Sequence, residues 1–287
     1  MHPTSAISPC GRRLHLQHGP IDLIVEAEGA REIAFEAALA RFQTILQGLV
    51  DELPLLKTPM TPDSPHPQGS VALRMDGAVR LHSDVFVTRM AAVAGAVADE
   101  VLAAMVQATP LDRASVNNGG DIALHLGPGQ TFRIAMSGLD GRDLGRIVIS
   151  AADGIGGIAT SGRGGRSLSL GIADSVTVLA KTAAMADVAA TLIANAVDLP
   201  GHTAIRRRPA HDLRDDSDLG ALLVPVSIGP LSVEDTNLAL SRGLNTAKQM
   251  QARGLITAAH LSLGSQSCQT GAARLVTSST QKVSEYA

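Results

Sequence analysis

The hydrophobic period changes along this chain, and the order of the changes limits what it can fold into. Residues 31–53 place Ile33, Phe35, Ala38, Leu39, Phe42, Ile45, Leu46, Leu49 and Val50 at helical spacing. A second helical run covers about Thr88 to Gln107. The period then drops to two: "ASVNNGGDIALHLGPG", "TFRIAMSG", "GRIVISAADG", "GGIATSG", "RSLSLGIAD" and "SVTVLA" read as short strands between glycine-rich turns. Helical spacing returns over Ala180–Pro200 and again over 233–254, and "LITAAHLSLGSQS" reads as a last strand. Near the start, "RRLHLQHGPIDLIVEAEG" gives an alternating run, a turn at Gly19-Pro20 and a strand from Ile21 to Ala27. Strands and helices arrive in blocks instead of strict βαβ units, so the sequence predicts α+β, with antiparallel sheets packed against helices.

Two segments fit no period. "PLLKTPMTPDSPHPQGS" (54–70) carries too many prolines for a regular element and is expected to be an exposed loop over a site. Residues 201–220, ending in "HDLRDDSDLG", read as a charged connector, followed by an apolar strand in "ALLVPVSIGPL". With 287 residues, 45% of them hydrophobic, the chain can bury one large core, and a single domain over 1–287 is expected. Met90–Val106 echoes Thr182–Val197 at a shift of 92, which sets Gly95 against Asp187 and Asp99 against Thr191. An internal duplication and a shared alanine-rich composition both account for the echo.

The net charge of −3 gives no case for nucleic acid. The apolar run "MAAVAGAVADEVLAAMV" is interrupted by Asp and Glu, so no membrane span is expected. The N-terminus has no apolar core of a signal peptide, and Cys10 and Cys268 have no motif spacing, so a cytoplasmic protein with reduced thiols is expected. The nine histidines include no pair at metal-binding helix spacing. With no Trp, one Tyr and four Phe, a ligand must be held by backbone amides, arginines and short polar groups.

Three places offer such groups. On a helical wheel Asp187, Thr191, Asn195 and Asp198 share one quadrant, where a carboxylate and a hydroxyl one turn apart suit a hard cation or simply a solvated face. "AADGIGGIATSGRGGRS" (Ala151–Ser167) has six glycines beside Thr160, Ser161, Arg163 and Arg166, the composition of an anion-binding loop. "VNNGGDIALHL" (Val116–Leu126) sets Asn117, Asn118 and Asp121 around Gly119-Gly120, as a tight turn or as a ligand-binding one.

Three blocks together resemble a known family. "FVTRMAAVAGAVADEV", "VNNGGDIALHL" and "GIATSGRGGRSLSLGIADSVTVLAKTAAMADVAAT" are similar to the UPF0280 family, related to ApbE, the FAD:protein FMN transferases. The likeness to UPF0280 covers nearly the whole chain, and that to ApbE the central and helix-forming blocks. It implies a T-fold-like, ApbE-like architecture with a cleft between sheet and helices. It also implies a Mg²⁺-dependent enzyme acting on or binding FAD, and a homo-oligomer. Carried over, the metal ligands are Asp187 and Thr191, with Asp121 assisting. The ligand-binding groups are Asn118, Gly119, Gly120, Thr160, Ser161, Gly162, Arg163 and Arg166, with Ala159 in the same strand end.

The chain also departs from ApbE. "SLSLGIADS" replaces a histidine-bearing segment and keeps only Asp174. "AGAVAD" replaces "KGYAVD", so Lys and Tyr give way to Ala94 or Gly95 and to Ala96. Transfer of FMN to a protein is therefore the least supported part of the resemblance. Two alternatives stand beside it: an enzyme for a small anionic metabolite clamped by Arg163 and Arg166, and a non-catalytic ligand-binding protein on the same fold.

Overall fold

In the computed structural model, residues 2–137, 143–271 and 274–276 are described. The strands are β1 (Thr4–Ile7), β2 (Arg13–His18), β3 (Ile21–Gly29), β4 (Leu111–Asn118), β5 (Asp121–Leu126), β6 (Thr131–Ser137), β7 (Asp143–Ser150), β8 (Gly157–Ser161) and β9 (Ser175–Ala180). They continue as β10 (Ile205–Pro209), β11 (Leu223–Ile228), β12 (Ala258–Leu263), β13 (Gln266–Thr270) and β14 (Arg274–Val276). The helices are α1 (Arg31–Asp51), α2 (Leu53–Leu56), α3 (Ser70–Val79), α4 (Val93–Ala108), α5 (Ala183–Ala196) and α6 (Val233–Ala252).

One antiparallel sheet organises the molecule, in the order β1-β2-β3-β4-β5-β8-β9-β12-β13. Its four long helices, α1, α4, α5 and α6, lie on one face in the same order as the strands beneath them. The helices bury their apolar stripes there: Phe35, Phe42 and Ile45 from α1, Val97, Val101 and Met105 from α4, and Val188 and Ile193 from α5. On the other face Ile122, Leu124, Ile158 and Leu179 pack against Ile147 and Ile149 of a small sheet, β14-β7-β6. This arrangement of helices, main sheet and small sheet is the α+β class expected from the changing period.

The element order repeats. β2-β3-α1-α4-β4-β5 is followed by β8-β9-α5-α6-β12-β13, each a strand pair, two helices and a strand pair. In that repeat α4 corresponds to α6, not to α5, so the 92-residue echo does not follow it. The echo has a packing cause: α4 and α5 are neighbours, and both need small residues to approach. A Cβ on Gly95 would collide with the backbone of Ala183, and one on Gly157 with that of Thr182.

Several expectations need correction. "RSLSLGIAD" is not a strand, because its amides are taken elsewhere. Leu170 N donates to Asn195 Oδ1 (2.9 Å), Ile172 N to the Val197 carbonyl (2.8 Å) and Asp174 N to the Ser262 carbonyl (2.9 Å). The segment thus wraps the C-terminal end of α5. The proline-rich stretch begins inside a helix, with Pro54 in the first turn of α2, where its missing N–H costs nothing. It is also anchored. Fully buried Arg89 donates to the Pro65 carbonyl (2.6 Å) and pairs with Asp76 (2.7 Å), and Leu56, Met60 and Pro67 are buried. Burial pushes the Asp76 carboxyl up, but hydrogen bonds from Arg80, Arg89 and His66 hold it below the usual range. The 201–220 connector contains β10, which pairs only with β11 and forms a two-stranded ribbon outside the main sheet.

With the preceding 3-10 turn, the run Arg89–Ala108 is long and apolar enough by length and composition to cross a bilayer. In the fold half of it is buried, and it packs on β4, β5 and α5. Cys10 and Cys268 are both free, near opposite edges of the main sheet.

Candidate functional site

The site grows from the antiparallel contact of α4 and α5. Each helix leaves its first amides without an intrahelical acceptor, and each is served by an aspartate of the other. Asp187 Oδ2 accepts from Gly95 N (3.0 Å), in the first turn of α4. Asp99 accepts from Ala183 N and Ala184 N (3.0 and 2.9 Å), in the first turn of α5. The polar stripe of α5 therefore divides by task. Asp187 faces α4, Thr191 sits half-buried one turn on, Asn195 accepts from the Ser169 hydroxyl and the Leu170 amide, and Asp198 pairs with Arg207.

Opposite Asp187 lies the β4–β5 turn. Gly119 and Gly120 adopt φ of +65° and +111°, which the turn requires, and Asn117 Oδ1 accepts from Gly120 N (2.8 Å). Asn118, buried, donates from Nδ2 to the Ala94 carbonyl (3.1 Å) and so ties the turn to the start of α4. Asp121 Oδ1 accepts from Thr160 N at the end of β8 (3.3 Å), and the Thr160 hydroxyl pairs with that of Thr177 (2.9 Å). Ser161 closes β8, and Gly162 takes φ of +135° against the Asp174 carbonyl. The Arg166 guanidinium lies directly over Gly119, in space that any Cβ there would fill.

The fold thus brings Asn118, Gly119, Gly120, Asp121, Thr160, Arg166 and Asp187 together, with Ser161 at the end of the same strand as Thr160 and Thr191 one turn beyond Asp187. Arg163 turns away. Its Nε donates to Asp174 Oδ1 (2.6 Å), whose other oxygen accepts from Gly264 N (2.7 Å). Arg163 lines a separate cavity of about 260 Å³ with Leu231, Thr236, Leu263 and Gln266. Asp174 is therefore the partner of Arg163 at the β12–β13 hairpin. Asp99 was overlooked as a site residue. Its signal was the echo register, which set it beside α5 without giving it a partner.

The electrostatics are unusual for a polar site. Burial pushes the Asp187 carboxyl well above the usual range, and the charges of Asp121 and Asp99 push it further. The amides of Gly95 and Ala94 offset only part of this. Burial pushes Asp121 up to about 7, against the Thr160 amide and Arg166. Burial also raises Asp99, against the Ala184 and Ala183 amides. Two acids thus face one another with too little positive charge between them, a situation that a divalent cation relieves. Among the described residues no three Asp, Glu, His or Cys side chains gather as a ready-made metal cluster. Two carboxylates with water and ligand phosphate completing the shell is the usual habit of Mg²⁺, so the donor set fits that ion.

A pH dependence follows. The unfolded Asp121 ionises near 4, whereas the folded one keeps its proton to about 7. Below both values there is no penalty. Between them the unfolded state alone releases a proton, so stability falls as pH rises; above both the loss is constant. The metal-free Tm is expected to fall between pH 5 and pH 8, with Mg²⁺ restoring it at pH 8 and not at pH 5. A flat profile would show that the two acids are compensated.

Comparison with known proteins adds the following. The family described as AbpE bacteria matches residues 5–275. A UPF0280 protein of Methanosphaerula palustris is 33% identical over 178 residues, covering 61% of this chain and 72% of that one. A UPF0280 protein of Methanothrix thermoacetophila is 39% identical over 108 residues, covering 38% of this chain and 45% of that protein, so the match spans less than half of that relative. Among solved structures, the apo form of the flavinyl transferase ApbE of Pseudomonas stutzeri aligns over 93% of both chains, at 12% identity and a TM-score of 0.47. The flavin transferase ApbE of Vibrio cholerae aligns over 93% of this chain and 96% of that one, at 14% identity and a TM-score of 0.38.

Proposed function

The chain belongs to the AbpE bacteria family, with UPF0280 proteins among its relatives, and from that premise we propose an ApbE-like, Mg²⁺-dependent enzyme acting on a flavin nucleotide, with FAD as the substrate to test. The observation that carries the reading is the pair Asp121 and Asp187, both pushed above the usual carboxylate range across one cleft. Such a pair is costly without a cation and useful with one.

Asp187 and Asp121 would hold the ion, with the Thr191 hydroxyl beside them. Arg166 and the glycine backbone at 119–120 and 162 would receive phosphate oxygens, and the hydroxyls of Thr160 and Ser161 and the amide of Asn118 would orient them. When bound, the cation offsets the negative charge that develops as a diphosphate bond breaks. With water as acceptor the balance is FAD plus water giving FMN and AMP.

The chain lacks the histidine segment and the Lys of the ApbE pattern, so a protein acceptor is not part of this proposal. The carboxylate-clamp alternative loses support, because Arg163 is paired with Asp174 and lines another cavity than the cleft. The test is AMP release from FAD by the purified protein. Release with Mg²⁺ and none with EDTA is expected; no release under either condition sinks the proposal.

A further inference from the structure

The proline-rich stretch and the charged connector, the two segments that fit no period, meet each other. Residues 210–222 are the long connection of the β10–β11 ribbon. Their base is closed by Ala210 N to the Leu222 carbonyl (2.9 Å) and His211 N to the Gly220 carbonyl (2.9 Å). Beyond that base the excursion makes three contacts outside the ribbon. Arg214 Nη2 donates to the carbonyl of Arg166 (2.6 Å), in the glycine-rich loop. The Thr88 hydroxyl donates to Asp218 Oδ2 (2.5 Å), and Lys57 Nζ donates to the Asp216 carbonyl (2.5 Å).

These anchor points flank the residues gathered about Asp121 and Asp187. Arg166 lies over Gly119 on the strand side. Thr88 caps the 3-10 turn Arg89–Ala92, which leads into α4 and packs against α5. Lys57 lies near the start of the proline-rich stretch, which buried Arg89 fixes in place. Thr88 is buried, so its hydrogen bond to Asp218 is shielded from water, whereas residues 211–216 are exposed.

We propose that residues 211–220 form a strap across the cleft, hinged at the 210–222 base and latched by Asp218 to Thr88 and by Lys57 to the Asp216 carbonyl, and that it sets how fast a ligand enters and leaves. The arrangement gives it the form of a gate. Its closed base keeps the excursion together as a unit, while a few polar contacts hold its tip. Breaking such contacts opens a loop without unfolding the core beneath. The strap also brings Arg214 to the loop that carries Arg166, so release of the strap withdraws a cation from the anion-binding side. The role in ligand exchange rests on the proposed site, whereas the latch rests on the contacts alone.

The test uses the full chain with Lys57→Ala and Asp218→Ala combined, neither of which lies in the binding machinery. Hydrogen exchange without ligand is read first at amides 213–219 and then at 118–121 and 162–166. Opening the latch is expected to speed exchange in both groups by about tenfold. Unchanged exchange at 118–121 and 162–166 overturns the strap, whatever the protein binds. FAD with Mg²⁺ is then followed by stopped-flow fluorescence. Association and dissociation are both expected to quicken by about tenfold, with Kd moving less than about threefold. Unchanged rates in a variant whose exchange has quickened overturn the gating role. If FAD fails to bind even the wild-type chain, the flavin reading fails, and the exchange result alone decides the strap. Arg214→Ala, which frees the other wall, serves as the second variant and should reproduce the faster exchange.

Discussion

Replacing Asp187 by Asn is expected to abolish Mg²⁺-dependent AMP release and, at the same time, to make the metal-free protein more stable. The two effects come from one cause. The Asp187 carboxyl is pushed up by burial and by the nearby charges of Asp121 and Asp99, so its negative form is an unfavourable feature of the folded chain. Asn keeps an oxygen that accepts from Gly95 N, so the clasp between α4 and α5 survives. What disappears is the charge. The rate should drop by at least about 100-fold, the scale of losing a group that stabilises charge in the transition state. The metal-free Tm at pH 8 should rise by several degrees, as removal of about 1–2 kcal/mol of repulsion would give in a chain of this size. Because burial favours the neutral carboxyl, the gain should shrink as pH falls. Thermal melts at both pH values and an AMP assay measure all three quantities. A fall in Tm together with activity would mean that Asp187 only holds helices together, and would remove the reason for placing a cation there.

The α5 wheel was legible because a helix exposes its pattern at one period, and Asp187 and Thr191 stand on a stripe with no long charges. Its meaning was not legible from the wheel. The same quadrant holds Asn195, which grips the Ser169 hydroxyl and the Leu170 amide, and Asp198, which grips Arg207. Spacing cannot distinguish those three tasks, because each is defined by a partner distant in sequence. The strand expected over "RSLSLGIAD" failed for a related reason. Its alternation is real, but Leu170 and Ile172 donate to Asn195 and Val197 at the end of α5, and Asp174 alone reaches a strand, at Ser262 of β12. Helix α3 went unread although Val71, Ala72, Met75, Ala78 and Val79 have helical spacing, because the prolines before it drew residues 54–70 into one loop. The strap is the extreme case. "HDLRDDSDLG" reads as a solvated charge run, and most of it is exposed; the buried Thr88, Lys57 and the carbonyl of Arg166 give it a destination. The opposed acids were visible one at a time, and their facing each other depends on β5 and α5 meeting across the sheet.

The other large effect is expected at Gly95. In most helix interiors Gly→Ala is favourable by up to about 1 kcal/mol, since alanine loses less backbone freedom on folding. At Gly95 the sign reverses. A Cβ there collides with the carbonyl carbon and oxygen of Ala183 and lies 2.7 Å from Ala184 N. None of these atoms can step aside as a flexible side chain would, because they form the first turn of α5, and Asp99 holds both of its amides. The helices must separate, which opens the core between α4 and α5 and moves Asp187 away from Asp121. Gly95→Ala should therefore cost about 3 kcal/mol, at the upper end for overpacking, and lower Tm by about 6–10 °C. Activity should fall as well, since Asn118 and Asp187 both take their positions from the start of α4. The control is Gly48→Ala in α1, where nothing lies within 4 Å of the added carbon. It should leave Tm unchanged or raise it by a degree or two. The contrast isolates the close approach from helix propensity, because the two substitutions add the same methyl group to helices of the same layer. If both variants melt alike, α4 and α5 are further apart than the clasp of Asp99 and Asp187 requires, and the cleft built on that clasp falls with it.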